Sequence, residues 1–144
     1  MPLTNFGAIL NFAEKVEQDD MEFYRKASST AAAEPYRLLF DMFVSEGKKH
    51  ISLVQRTRRE NVTEMILEPI RDFVRDGYQL KVENADGLDG TAMLTAAVAL
   101  ENRAIRYYGD AAEKIRALPE VSRALKTLAK KRTKRLGQIE NLSA

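Results

Sequence analysis

Four long stretches of this chain repeat their apolar residues at intervals of three and four, and that period commits it to amphipathic helices packed against one another. In the first stretch the stripe is Phe6, Ile9, Ala13, Val16, Phe23 and Ala27; in the second it is Leu39, Phe40, Phe43, Ile51, Leu53 and Val54. Leu94, Val98, Ala104, Tyr108 and Ile115 mark the third, and Val121, Leu125, Leu128, Leu136, Ile139 and Leu142 the fourth. The spacing predicts helices near 5–28, 35–57, 91–116 and 119–142. Thr4 suits an N-cap, and Pro35 and Pro119 suit a first helical turn, where a missing N–H costs nothing. The chain has only 4 Pro and 7 Gly, few for a strand-rich fold. No sustained alternation occurs outside the short Gln79–Val82 stretch, so strands are not expected.

Between residues 58 and 90 the pattern weakens. Ile66 to Val74 could form a short helix around Pro69, and Asp86-Gly87 and Asp89-Gly90 are turn dipeptides. Helix hairpin loops span about 2–8 residues, so this connection is a crossover and not a hairpin. The expected product is one all-α domain over residues 1–144: a four-helix bundle with a long crossover between helices two and three.

Composition excludes several function classes. There are no cysteines, which removes disulfides, thiolate metal sites and a cysteine nucleophile. With a single histidine there is no hydrolase constellation, and no glycine-rich phosphate loop is present. A net charge of +2 is too near neutral to point to nucleic acid or an anionic membrane. No apolar run approaches the ~18 residues of a membrane span. At the N-terminus no basic residue precedes Lys15, and Asn5 and Asn11 interrupt the apolar stretch, unlike a signal peptide. A cytoplasmic protein is expected.

Most informative are the polar residues that fall in apolar columns, since residues seven apart on a bundle helix lie nearly above one another. Glu17 shares a column with Leu10 and Tyr24, and Asp20 with Ala13 and Ala27. His50 lines up with Phe43 and Thr57, and Gly47 with Phe40 and Val54. Glu101 stands between Leu94 and Tyr108; Arg135 follows Leu128, and Arg132 follows Leu125. Each helix therefore directs at least one ionisable group inward, and a buried charge costs several kcal/mol unless it is paired or metal-bound. By the same spacing Lys130, Lys131 and Lys134 occupy a solvated face.

An internal repeat accompanies these columns. Val16-Glu17 with Phe23-Tyr24 aligns with Leu100-Glu101 and Tyr107-Tyr108 at an offset of 84. Helices two and four align at nearly the same offset, Phe43 with Leu128, His50 with Arg135 and Ile51 with Leu136. Two similar helix pairs joined by a crossover make a pseudo-two-fold bundle.

Ala13-x-x-Val16-Glu17 with Phe23-Tyr24, Phe43-x-x-x-Gly47-Lys48-Lys49-His50, and Leu100-Glu101 with Tyr107-Tyr108 resemble the rubrerythrin branch of the ferritin-like proteins. The resemblance covers most of the chain, including helix order and crossover position. It implies a site for two irons, held by a Glu from helices one and three and a Glu-x-x-His from helices two and four. Glu17, Glu101 and His50 match three of those ligands. The Glu expected three residues before His50 is Gly47, with Glu46 one step, about 100°, around the helix. In helix four Arg132 and Arg135 replace the Glu-x-x-His pair, and no cysteines exist for the family's rubredoxin-like module.

A guanidinium does not ligate metal in its usual state and stays charged. Arg132 and Arg135 are therefore expected to pair with Glu17 and Glu101 in place of metals, with no cofactor. The implied function is a redox-inactive scaffold or interaction module, homodimeric, binding neither nucleic acid nor membrane. An unknown protein partner or a small anion held by the arginines is the implied company. Open beside this stands a metal-dependent oxidoreductase, reducing peroxide or handling iron. It would draw iron or zinc to Glu17, Asp20 or Glu46, His50 and Glu101, with Tyr24 and Tyr108 as outer partners.

Overall fold

The structure, a computed structural model, describes residues 6–60, 77–78, 80 and 89–142. The Thr4 cap, the Ile66–Val74 helix, the Asp86-Gly87 turn and most of the crossover lie outside the described residues. Four helices form: α1 (Phe6–Ser28), α2 (Arg37–Glu60), α3 (Gly90–Lys114) and α4 (Pro119–Leu142). No strand occurs among the described residues. α1 packs along α2 and α3 along α4; the two pairs meet through α2 against α4 and α1 against α3.

The helix ends follow from local chemistry. Pro35 does not open α2 but lies in a 3-10 helix, Ala31–Tyr36, and regular α geometry begins at Arg37. Pro35 has no N–H to donate and crowds the residue before it, which favours the tighter turn. Arg37 then folds back over the α1 terminus, its guanidinium donating to the carbonyls of Ser28 (2.7 Å) and Thr30 (2.8 Å). These are carbonyls at and just beyond the end of α1, so one side chain ties α1 to α2. Asp89 and Gly90 do not form a free turn; Asp89 caps α3, its carboxylate accepting from the Ala92 N–H at 2.8 Å. α3 ends at Lys114 and a tight turn leads to Pro119, the first residue of α4. At the far end α2 continues past Thr57 to Glu60, with Arg56 paired to Glu60 at 3.4 Å.

The interior is divided. One apolar cluster joins Ile9, Phe12, Val16, Val54, Tyr107, Ile115, Leu125 and Leu128. A second, toward the other end, joins Phe23, Phe40, Phe43, Met93, Leu94, Leu100 and Ile139. Each large side chain fully buried there contributes about 1.5–3 kcal/mol, so these clusters carry the fold. Between them lies a layer of charge containing Glu17, Asp20, Glu101, Arg132 and Arg135, each no more than 2% exposed. Among the described residues no helix is long and apolar enough to cross a membrane.

Candidate functional site: a buried arginine–carboxylate cluster

Arg132 is the hub of that layer. Its side chain is wholly buried on the inner face of α4, in the row Val121, Leu125, Leu128, Arg132, Arg135 and Ile139. The guanidinium donates from Nη1 to Glu101 Oε1 at 2.8 Å and from Nη2 to Asp20 Oδ2 at 2.9 Å. Nε and Nη2 both reach Glu17 Oε2, at 3.2 and 3.0 Å. One planar fork thus serves three carboxylates on two helices, a task suited to arginine and not to lysine.

Two further cations complete the balance. Arg135 sits one turn along α4, donating to Glu101 Oε2 at 3.5 Å and to Glu46 Oε1 at 3.2 Å. Its guanidinium lies over the Phe43 ring at 4.6 Å and the Tyr24 ring at 5.7 Å, which offsets part of its desolvation. Arg103 of α3 is also buried, its Nη2 donating to Asp20 Oδ1. Arg103 is not among the inward polar residues expected from the sequence. The signal was present, because Leu100, Arg103 and Tyr107 continue the spacing of three and four. Glu17, Asp20 and Glu101 are thereby matched one for one by Arg103, Arg132 and Arg135. The Nε atoms of Arg103 and Arg135 are buried without a hydrogen-bond partner among the described residues.

Two tyrosines exchange bonds across the bundle. Tyr24 of α1 donates to Glu101 of α3, and Tyr108 of α3 donates to Glu17 of α1. The internal repeat relates these pairs, since Tyr24 corresponds to Tyr108 and Glu17 to Glu101. His50 extends the relation: its Nδ1 lies 3.0 Å from Glu17 Oε1, as its counterpart Arg135 reaches Glu101. The symmetry fails at Gly47, the counterpart of Arg132. Gly47 lies where α2 passes close to α1, and a Cβ there would stand 3.1 Å from Met21 Cβ. One side of the pseudo-two-fold has no side chain and the other has a guanidinium long enough to serve both glutamates.

Electrostatics differ from residue to residue. Burial pushes the Glu17 carboxyl up, but Arg132, His50 and the Tyr108 hydroxyl together outweigh it and hold the acid well below the usual carboxylate range. For Asp20 burial wins over Arg132 and Arg103, with Glu101 and Glu17 adding repulsion, and its pKa rises from 3.8 to about 6. Burial and the adjacent glutamates push the phenols of Tyr24 and Tyr108 well above 10.0. Arg132 is driven up by Glu101, Glu17 and Asp20 despite its burial, so it is permanently charged.

Two iron ions do not fit these residues. All six oxygens of Glu17, Asp20 and Glu101 already accept a hydrogen bond or ion pair from Arg103, Arg132, Arg135, His50, Tyr24 or Tyr108. A divalent ion placed about 4 Å from Arg132 would meet roughly 8 kcal/mol of repulsion at an effective dielectric of about 20. Among the described residues no group of three or more His, Asp or Glu is arranged to hold a metal. Glu46 is turned to the rim, about one third exposed, and engages Arg135. No family model matches this chain, and no curated protein or solved structure matches it either.

Proposed function

We propose that the chain is a ferritin-like, rubrerythrin-type bundle whose metal centre has been replaced by an arginine–carboxylate cluster. In this reading it serves as a redox-inactive helical scaffold or interaction module, cytoplasmic and paired as a homodimer, with the crossover joining α2 to α3. The observation that carries the reading is the engagement of every oxygen of Glu17, Asp20 and Glu101 by donors of the same chain. Guanidiniums cannot be titrated away at physiological pH, so the compensation does not yield to a metal by losing protons, as a histidine or a thiol would. A cluster of this kind offers no open ligand position and no nucleophile, and what it supplies is a fixed register between α1, α3 and α4.

Metal analysis by mass spectrometry tests this directly, on untagged protein grown with iron, zinc and manganese. Less than about 0.1 metal per chain, with folding unchanged in chelator, is the expected result. Stoichiometric iron or zinc would overturn the reading in favour of a metal-dependent oxidoreductase.

A further inference from the structure

The net charge of +2 conceals a separation of charge between helices. α1 carries three Lys/Arg against five Asp/Glu, and α3 three against three. α2 carries six against three and α4 seven against two, and these two helices pack side by side. With Arg132 and Arg135 neutralised inside, α4 still has five against two. On the α1 and α3 surfaces exposed cations are paired locally, as in Lys15–Asp19, Arg25–Glu22 and Arg116–Glu113 at the end of α3. By contrast, Lys48, Lys49, Arg123, Lys131 and Lys134 are exposed with no ion-pair partner among the described residues.

The packing leaves a groove on this side. α2 and α4 run antiparallel, since Glu46 meets Arg135 while Thr57 and Glu60 share a groove of about 410 Å³ with Glu120 and Arg123. Leu53 and Ala124 line it between the charges, and a second hollow along α2, sharing Leu53 and Arg56, extends to Lys48 and Lys49. Helical spacing continues the α4 wall from Thr127 to Lys131 and Lys134. From Glu120 to Lys134 the wall is about 21 Å long, the length of a four-turn helix.

We propose that the α2–α4 face is a docking surface for an acidic, amphipathic segment of another protein. Charge complementarity names the sign of the partner, because the unpaired Lys48, Lys49, Arg123, Lys131 and Lys134 outnumber the acids on these walls, Glu60 and Glu120 at one end, and repel one another until an anion lies along them. The groove decides the class. Its apolar residues, Leu53 and Ala124, reward a partner that brings apolar side chains, and Glu60 and Glu120 at one end repel a continuous phosphate backbone. No aromatic side chain lines either hollow, so single-stranded bases have no stacking platform there. The partner is a helix of about four turns with Glu or Asp on its flanks and Leu-like residues at intervals of three and four. This inference rests on the interaction reading for its biological sense, while its residues are separate from the buried cluster.

The test uses the full chain and a labelled 18-residue probe peptide (designed length about four to five turns) carrying Leu at helical spacing and Glu elsewhere. Fluorescence anisotropy at about 0.15 M salt reads binding. Binding is expected, with Lys48→Glu, Lys131→Glu and Lys134→Glu combined weakening it by at least about tenfold. Leu53→Asp is expected to weaken it as well, and Lys15→Glu with Lys26→Glu to leave it unchanged. Helical circular dichroism of each variant shows that it folds. No binding, equal binding by the triple variant, or tighter binding of a DNA duplex or of phosphatidylserine vesicles than of the peptide would each overturn the proposal. Metal content measured on the same samples separates the two readings: iron-loaded protein that binds the peptide overturns only the metal-free function, and metal-free protein that ignores it overturns only this surface.

Discussion

Replacing Arg132 with Met keeps a long unbranched side chain and removes one charge from the centre of the bundle. The guanidinium serves Glu17, Asp20 and Glu101 at distances between 2.8 and 3.2 Å, all in a layer sealed from solvent. Asp20, already raised to about 6 with Arg132 pulling it down, takes up a proton near neutral pH once that pull is gone. Glu17 and Glu101 then each lose a charge-assisted hydrogen bond, about 1.5–3 kcal/mol apiece. The sum agrees with the roughly 3–5 kcal/mol cost of stripping one partner from a buried ion pair. For a domain whose whole stability is about 5–15 kcal/mol, that is a large fraction. Urea unfolding followed by circular dichroism at pH 7 measures it, by comparison of wild type, Arg132→Met, and Arg132→Met with Glu101→Gln. The double variant is expected to recover part of the loss, because it removes one of the stranded charges. At pH 5 the single-variant deficit is expected to shrink by about 1 kcal/mol, because Asp20 without Arg132 holds its proton more tightly than in the wild type. A deficit below about 1 kcal/mol at pH 7, or one independent of pH, would refute the argument that Arg132 compensates the carboxylates.

Three other outcomes follow from the same geometry. The raised Asp20 pKa makes a stabilising contribution that is full below 3.8 and lost as pH rises through about 6; Glu17, held low, makes one that is lost only as pH falls below its ordinary 4.5. Wild-type stability should therefore rise by about 1 kcal/mol from pH 7 to 5, then fall in stronger acid, and Asp20→Asn should abolish the rise. In alkaline spectrophotometric titration Tyr24 and Tyr108 should stay un-ionised until the chain unfolds, and Tyr78, raised by burial and by Asp110, should also ionise late; full ionisation of the folded protein near pH 10 would exclude the buried bonds of Tyr24 and Tyr108 to the glutamates. Gly137→Ala, where a Cβ meets nothing within 4 Å, should stabilise by about 0.5–1 kcal/mol in thermal or urea unfolding. Gly47→Ala should instead lose that gain or turn destabilising against Met21, and Met21→Ala should make the substitution more favourable.

Much of this molecule was legible in the chain. Apolar spacing of three and four marked four helices, and the same spacing identified Glu17, Asp20, Glu101, Arg132 and Arg135 as polar residues in apolar rows. That reading works because burial of a helix face is set by period alone, whichever neighbour covers it. Helix ends were less accessible: Pro35 entering a 3-10 turn and Asp89 capping α3 depend on backbone angles that a dipeptide permits without dictating. What only the tertiary structure decided is which charge meets which. Arg103 sits beside Asp20, 83 residues away in the chain, and Arg132 reaches Glu17 across 115 residues. Partnerships over such separations depend on the order in which α1, α2, α4 and α3 surround the core and on where each side chain falls along the axis. The groove between α2 and α4 has the same origin. A row of lysines is written in one helix, but its meaning changes when a second basic helix is packed alongside it, because charge adds through space and not along the chain.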